Sequence, residues 1–292
     1  MSDHNLLLGD VEIVRIVDAI IDYPFSLDVL YPEVPIEAWD PWRKQHPTTF
    51  ATEKTHRFVY TCYVLRSARQ TILVDTGLGP AWGPLAVMWQ QSHAVQQAFG
   101  LLDELQAAGV RPQDVEIVFL THLHPDHVGW NLLQENGQSR LTFPHARYVV
   151  HQSDWEAFHT PEMQARFPFD YIGVHVTPLE RLGALELLTK DGDLAPGIAV
   201  IHTPGHMSVA ISSQGQHAIL VGDAFVHPAQ ITEPTWHSMF DVDKEMAHRT
   251  RRDLLERITA DDTIVYASHF PAPGIGRIVR RDQLYYWQAR EE

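Results

Sequence analysis

An apolar run, "VEIVFL" (115–120), ends abruptly in "THLHPDHVGW" (121–130), and this junction constrains the chain more than any other feature. A buried strand thereby delivers His122, His124, Asp126 and His127 to one point. His122 and His124 are two apart, so in an extended segment their side chains point the same way and both reach one ion. Pro125 turns the chain, and Asp126 and His127 open a helical turn from which they face a second ion. Neutral imidazole and carboxylate are zinc's usual non-sulfur ligands. The bland alternative is an Asp126 that caps a helix beside surface histidines.

The same kind of junction recurs downstream. "HTPGH" (202–206) ends a strand in a tight turn through Pro204 and Gly205 and places His206 there. "VGDAF" (221–225) leaves Asp223 at the end of an apolar strand, and "ASHFPAP" (267–273) leaves His269 in the same situation. A carboxylate that closes an apolar strand is costly unless something pairs with it, and a metal does so. Asp75, in "VDTG", reads from the residues alone as a turn residue before Gly77.

Further strands are predicted at 11–21, 57–67, 70–79, 146–151, 198–203, 217–223 and 263–269. Phe99, Leu102 and Leu105 predict a helix over 94–110 with its stop at Gly109, and a second helix is predicted over 243–259. Strands dominate both halves with helices interspersed, which suits two sheets with outer helices better than a doubly wound sheet. Residues 22–56 hold five prolines among Tyr23, Phe25, Tyr31, Trp39, Trp42 and Phe50. That stretch is too aromatic for a disordered linker and too proline-rich for regular structure, so it reads as an ordered loop: a lid, a dimer contact or a core-covering segment.

The 292 residues bury a substantial core and read as a single domain, 1–292. A formal charge of −15 argues against a nucleic-acid partner. Cys62 is the single cysteine and forms no intrachain disulfide. The N-terminal "MSDHNLLLGD" lacks a basic n-region, and no stretch approaches 18 uninterrupted apolar residues. A cytoplasmic protein without a membrane partner is the expectation.

His122-x-His124-x-Asp126-His127, then His206, Asp223 and His269, matches in order the ligands of the metallo-β-lactamase-fold hydrolase superfamily, which the chain resembles over roughly 60–275. The resemblance implies an α+β fold, an αββα sandwich with a dinuclear metal site at one edge of the sheets. Carried over by position, His122, His124 and His206 hold the first metal, Asp126, His127 and His269 the second, and Asp223 bridges them. Asp75 matches the aspartate that orients a ligand histidine. Two zinc ions are implied, with iron, manganese or cobalt as substitutes. Such a pair, about 3.5–4 Å apart, activates water and polarises a substrate oxygen.

The surroundings of Asp223 and His269 are similar to the group that includes N-acyl-homoserine lactonases and methyl-parathion-type organophosphate hydrolases. That similarity implies hydrolysis of lactones or small esters, a phosphotriester side activity and a homodimer. One position departs: where those lactonases have a tyrosine three residues after the bridging aspartate, this chain has Val226, with His227 next. His227 is therefore a candidate contact for substrate or leaving group beside the catalytic Asp126 and Asp223; otherwise it is a strand-end histidine facing solvent. Trp130, Phe225 and Phe270 lie next to ligands and either line an apolar pocket or pack beneath the metal loops. Two other readings stay open. A glyoxalase-II-like thioesterase would use basic residues such as Arg277, Arg280 and Arg281 for glutathione, and a persulfide dioxygenase would hold one iron.

Overall fold

A computed structural model describes residues 5–68, 70–81, 83, 95–97, 99–135, 138–203 and 206–291, with backbone alone at Asn5, Gln97 and His206. The first part of the chain supplies β1 (Asn5–Leu8), β2 (Val11–Ser26), β3 (Thr55–Ser67), β4 (Gln70–Val74), β5 (Val95–Gln97), β6 (Ile117–Phe119), β7 (Leu132–Glu135), β8 (Gln138–Leu141), β9 (Arg147–His151) and β10 (Leu185–Leu188). The second supplies β11 (Gly192–Ala195), β12 (Ile198–Thr203), β13 (His206–Ser213), β14 (Gln216–Leu220), β15 (Ile264–Tyr266), β16 (Ile275–Arg281) and β17 (Leu284–Ala289). One sheet has the order β1-β2-β3-β4-β6-β9-β10, with β5 paired to β2; the other runs from β11 to β17 in sequence order, and β7 and β8 form a separate hairpin. Neighbours are parallel from β4 to β10 and between β14 and β15.

Burial on both faces explains why these strands read as continuous apolar runs rather than alternating ones. Adjacent side chains on a strand point to opposite faces. Ile13 and Leu65 accordingly join Val74, Phe119, Val200, Val209 and Leu220 between the sheets. Val14 and Val64 face the other way, toward Leu101, Leu105, Phe158 and Leu179 of the outer helices. On the far side of the second sheet, Ile219, Val265 and Ile278 pack against Leu254, Leu255 and Ile258 of the helix Lys244–Ala260. The layers are helix, sheet, sheet, helix, as expected.

Two local expectations change. The helix predicted over 94–110 is confined, among the described residues, to Leu101–Ala107, while Val95–Gln97 pairs with β2. Gly100 separates the two, and its N–H is held by the Asp18 carbonyl at 3.0 Å, so the helix starts after it. Residues 22–56 are not irregular. β2 runs on to Ser26, and short helical turns follow at Leu27–Leu30, Ile36–Trp39, Asp40–Gln45 and Pro47–Thr49. Pro41 and Pro47 sit in first turns, where the missing N–H costs nothing and the fixed φ favours a helix. The segment forms an aromatic core in which buried Trp39 packs on Tyr31 and Trp236, each 4.8 Å away. No helix among the described residues is long and apolar enough to cross a membrane.

Candidate metal centre

The ligand-type residues gather where strands end. Asp75 directly follows β4, and its N–H bonds the Phe119 carbonyl that closes β6 at 2.9 Å. His122 to His127 follow β6, Asp223 lies on the turn after β14, and His269 follows β15. The Met207 N–H donates to the Thr121 carbonyl at 2.9 Å, which ties the start of β13 in the second sheet to the loop leaving the first. Parallel pairing of β4 with β6 and of β14 with β15 thus brings the carboxyl ends of strands from both sheets to one edge.

Two groups of ligand atoms result, each within 4.8 Å of one another: Asp126, His127, Asp223 and His269 form one, and His122, His124 and Asp223 the other. Asp223 belongs to both. His206 opens β13, paired with Thr203, but its side chain and the turn through Pro204 and Gly205 lie outside the described residues.

Hydrogen bonds to the far ring nitrogens settle how the imidazoles point. His127 Nδ1 donates to Asp75 Oδ2 at 2.8 Å, which leaves Nε2 aimed at Asp223 Oδ1, 3.3 Å away. His269 Nδ1 donates to the Val59 carbonyl at 3.0 Å and turns Nε2 toward both Asp223 oxygens. Asp75 also accepts from the N–H of Thr121 at 2.8 Å and from its hydroxyl at 2.9 Å. Thr121 is a positioning residue that sequence reading missed; the signal was its place next to the first ligand. Asp75 itself has φ +61°, a left-handed conformation that aspartate tolerates better than most residues.

These groups fit a cation. His127 Nε2 and Asp223 Oδ1 are buried without a hydrogen-bond partner. His122 Nε2 and His124 Nδ1 converge to 2.7 Å. Burial disfavours a charged His127, yet Asp223, Asp75 and Asp126 override it and push its pKa well above the usual value. Burial likewise disfavours the Asp223 carboxylate, and His269, His127 and His122 hold it ionised, well below the usual range. A positive charge among these atoms answers the demand of both.

A cavity of about 330 Å³ opens on the centre. His124, Asp126, Asp223 and His269 form its floor, and Tyr23, Phe58, Tyr60, Phe167, Val226 and Phe240 are among its walls. Apart from Val226, and Tyr23 in the stretch read as a lid, a dimer contact or a core-covering segment, these wall residues went unrecognised in the sequence.

Trp130, Phe225 and Phe270 do not line the cavity; the second reading, packing beneath the loops, is the one the structure shows. Trp130 donates its indole N–H to Asp18 Oδ1 at 3.1 Å. Asp18 also accepts from the N–H groups of Leu78 at 2.7 Å and Leu101 at 3.0 Å. Burial raises its pKa to about 6, against those bonds. Gly77 is required here, because a Cβ would lie 2.4 Å from Asp18 Oδ2. Phe225 and Phe270 belong to the core beneath the helix Lys244–Ala260.

His227 is also not brought to the cavity, nor does it face solvent. It is fully buried, accepts from the Ala229 N–H through Nδ1 at 3.0 Å, and so donates from Nε2 to Thr49 Oγ1 at 2.9 Å. Burial and the neighbouring His56 and His46 keep it neutral, far below its usual pKa. His56, stacked on Phe58 with centroids 4.2 Å apart, is pushed down to about 3, first by burial and then by His269. An unfolded histidine takes a proton as pH falls through about 6.5, whereas folded His56 refuses one down to about 3. Stability from this residue is therefore complete above pH 6.5 and lost below it. Between pH 7.5 and 5, metal-stripped wild type should lose about 2 kcal/mol more than His56→Phe. Denaturant unfolding of both at the two pH values checks this; equal losses would refute it.

A family model, described as the metallo-beta-lactamase superfamily, matches residues 57–269. An N-acyl homoserine lactonase of Bacillus cereus is 23% identical over 220 residues, 71% of this chain and 80% of that protein. The N-acyl homoserine lactonase AttM of Agrobacterium fabrum is 30% identical over 149 residues, 48% of this chain and 51% of that protein. Among solved structures, AidC, a dizinc quorum-quenching lactonase in complex with a product, superposes with a TM-score of 0.79 at 20% identity, over 99% of this chain and 97% of that one. The hydrolase AbOPH of the beta lactamase superfamily gives 0.81 at 22% identity over the same shares. With the fold, the ordered ligand-type residues and the match across 57–269 in agreement, the chain belongs to the metallo-β-lactamase superfamily.

Proposed function

We propose that the chain is a metal-dependent hydrolase that opens lactones and cleaves related small esters. The observation that carries this reading is the apolar cavity, whose floor is made by residues of both ligand groups. His122 and His124, with His206, would hold one ion; Asp126, His127 and His269 a second; Asp223 would serve both. A pair of zinc ions, or of iron, manganese or cobalt, would supply Lewis acidity and activated water at neutral pH.

The chain's own residues do the rest. Thr121 and Asp75 fix the His127 imidazole, and the Val59 carbonyl fixes that of His269. Phe58, Phe167 and Phe240 exclude water and receive an apolar substituent, as small-molecule sites commonly do. Asp126 borders the cavity, and its carboxylate would take the proton released by the attacking water and pass it to the departing alkoxide. The lactonase names among the relatives support the lactone class. Arg280 and Arg281 lie over Tyr285 and Tyr286, and Arg277 pairs with Asp262, so none of the arginines considered for glutathione lines the cavity.

Metal-quantified protein assayed on lactones, aryl esters, a phosphotriester and a glutathione thioester tests the proposal. About two ions per chain and turnover of lactones or aryl esters are expected, with weaker turnover of the phosphotriester. One iron per chain with oxygen consumption and no hydrolysis would overturn it.

A further inference from the structure

We propose that the Tyr60 hydroxyl is a catalytic hydrogen-bond donor, supplied from β3, to the substrate oxygen that gains negative charge beside Asp126, Asp223 and His269. The inference rests on the hydrolase reading above and deepens it. It starts from a gap: Val226 borders the cavity but has no donor to offer.

Tyr60 fills that gap. It lines the same cavity, is only 5% exposed, and sets its ring edge-on to the His269 imidazole with centroids 5.4 Å apart. His269 in turn reaches Asp223 at 3.2 Å and Asp126 at 3.6 Å, so the phenol stands one ring away from both carboxylates. Its hydroxyl has no hydrogen-bond partner among the described residues. Tyr148 shows the contrast: its hydroxyl donates to the Asn131 carbonyl at 3.0 Å and accepts from the Phe143 N–H at 3.2 Å. The hydroxyls of Tyr31, Tyr63, Tyr171 and Tyr266 are also unpaired but belong to residues off the cavity wall, whereas Tyr60 is on it and can offer its O–H to an acceptor that enters the cavity.

The backbone holds it there. Tyr60 pairs with Ala19 of β2 just past a register shift, which sets its side chain on the cavity face with Phe58. Tyr23, the other phenol in the wall, packs on Phe58 at 5.1 Å and Phe25 at 5.4 Å rather than on His269. A phenol that donates a hydrogen bond keeps its proton, so the reaction needs no proton from Tyr60. A donor aimed where charge develops, in a site closed to water, typically contributes about 10²–10³-fold.

Tyr60→Phe and Tyr23→Phe should each be compared with wild type for kcat and KM on a lactone, metal content, and equilibrium affinity for the hydroxy-acid product. The expected result is a fall in kcat of about 100-fold for Tyr60→Phe, with KM, metal content and product affinity within about threefold of wild type, and a smaller fall in kcat for Tyr23→Phe. An unchanged kcat in Tyr60→Phe, or a loss proportional to lost metal, would overturn the assignment while leaving the hydrolase reading intact. A wild type inactive on every lactone and ester would overturn both.

Discussion

Asp223→Ala is expected to lose metal from both ligand groups and to reduce hydrolysis well beyond the 10–100-fold that removal of a residue behind the ligands typically costs. Asp223 is the member common to both groups. Its oxygens lie 3.2 Å from His269 Nε2, 3.3 Å from His127 Nε2 and 3.6 Å from His122 Nε2. Removing it leaves those nitrogens without the carboxylate between them and deletes negative charge that offsets a cation in a buried place. Asp75→Asn is the control, because Asp75 touches His127 only at the far nitrogen. It should lower metal affinity and activity within the 10–100-fold range. Elemental analysis after dialysis, with rates on the same samples, separates the two. If Asp223→Ala kept both ions and most of its activity, the shared role would be wrong.

His122, Asp223 and His269 stand out in the sequence because each is a polar residue just past an apolar strand, and strand ends are readable from composition alone. What surrounds them does not, for a geometric reason. Phe270 directly follows His269 in the turn after β15, where the Phe270 N–H reaches back to the Ala267 carbonyl, and that turn leaves His269 at the cavity while Phe270 joins the core. Trp130 and Asp18 meet across 112 positions of sequence, and His227 and Thr49 across 178, so no local pattern announces either contact. The cavity wall is of the same kind. Phe58 and Tyr60 lie on the face of β3 that β2 and the residues after β14 enclose, which only the fold decides. Proline content misled at 22–56, because Pro41 and Pro47 start helical turns rather than forbid them.

Asp241→Ala is expected to destabilise the fold by roughly 3–5 kcal/mol, the usual cost of removing one partner from a buried ion pair. The pair is enclosed, with side-chain exposure of 1% at Arg251 and 6% at Asp241, and Arg251 Nη2 donates to both Asp241 oxygens at 2.8 Å. Arginine stays charged, so alanine at 241 leaves a buried guanidinium with backbone carbonyls but no carboxylate opposite it. The damage should reach the metal centre. Arg251 Nε holds the carbonyl of Ala224, next to Asp223, at 2.8 Å, and Asp241 Oδ2 accepts from the Ser238 N–H at 2.8 Å, which braces the segment carrying the cavity residues Met239 and Phe240. Lys244 and Glu33 form a useful comparison, an ion pair at 2.8 Å with partners 45% and 56% exposed. Solvent screens that pair, and Lys244→Ala should leave the unfolding midpoint close to that of wild type. Urea unfolding of the metal-loaded variants gives both values, and a metal titration of Asp241→Ala should show weakened binding although no ligand has changed. If Asp241→Ala cost no more than Lys244→Ala, the Arg251 guanidinium would have to find water or another acceptor, and the Asp223 turn would not depend on this pair for its position.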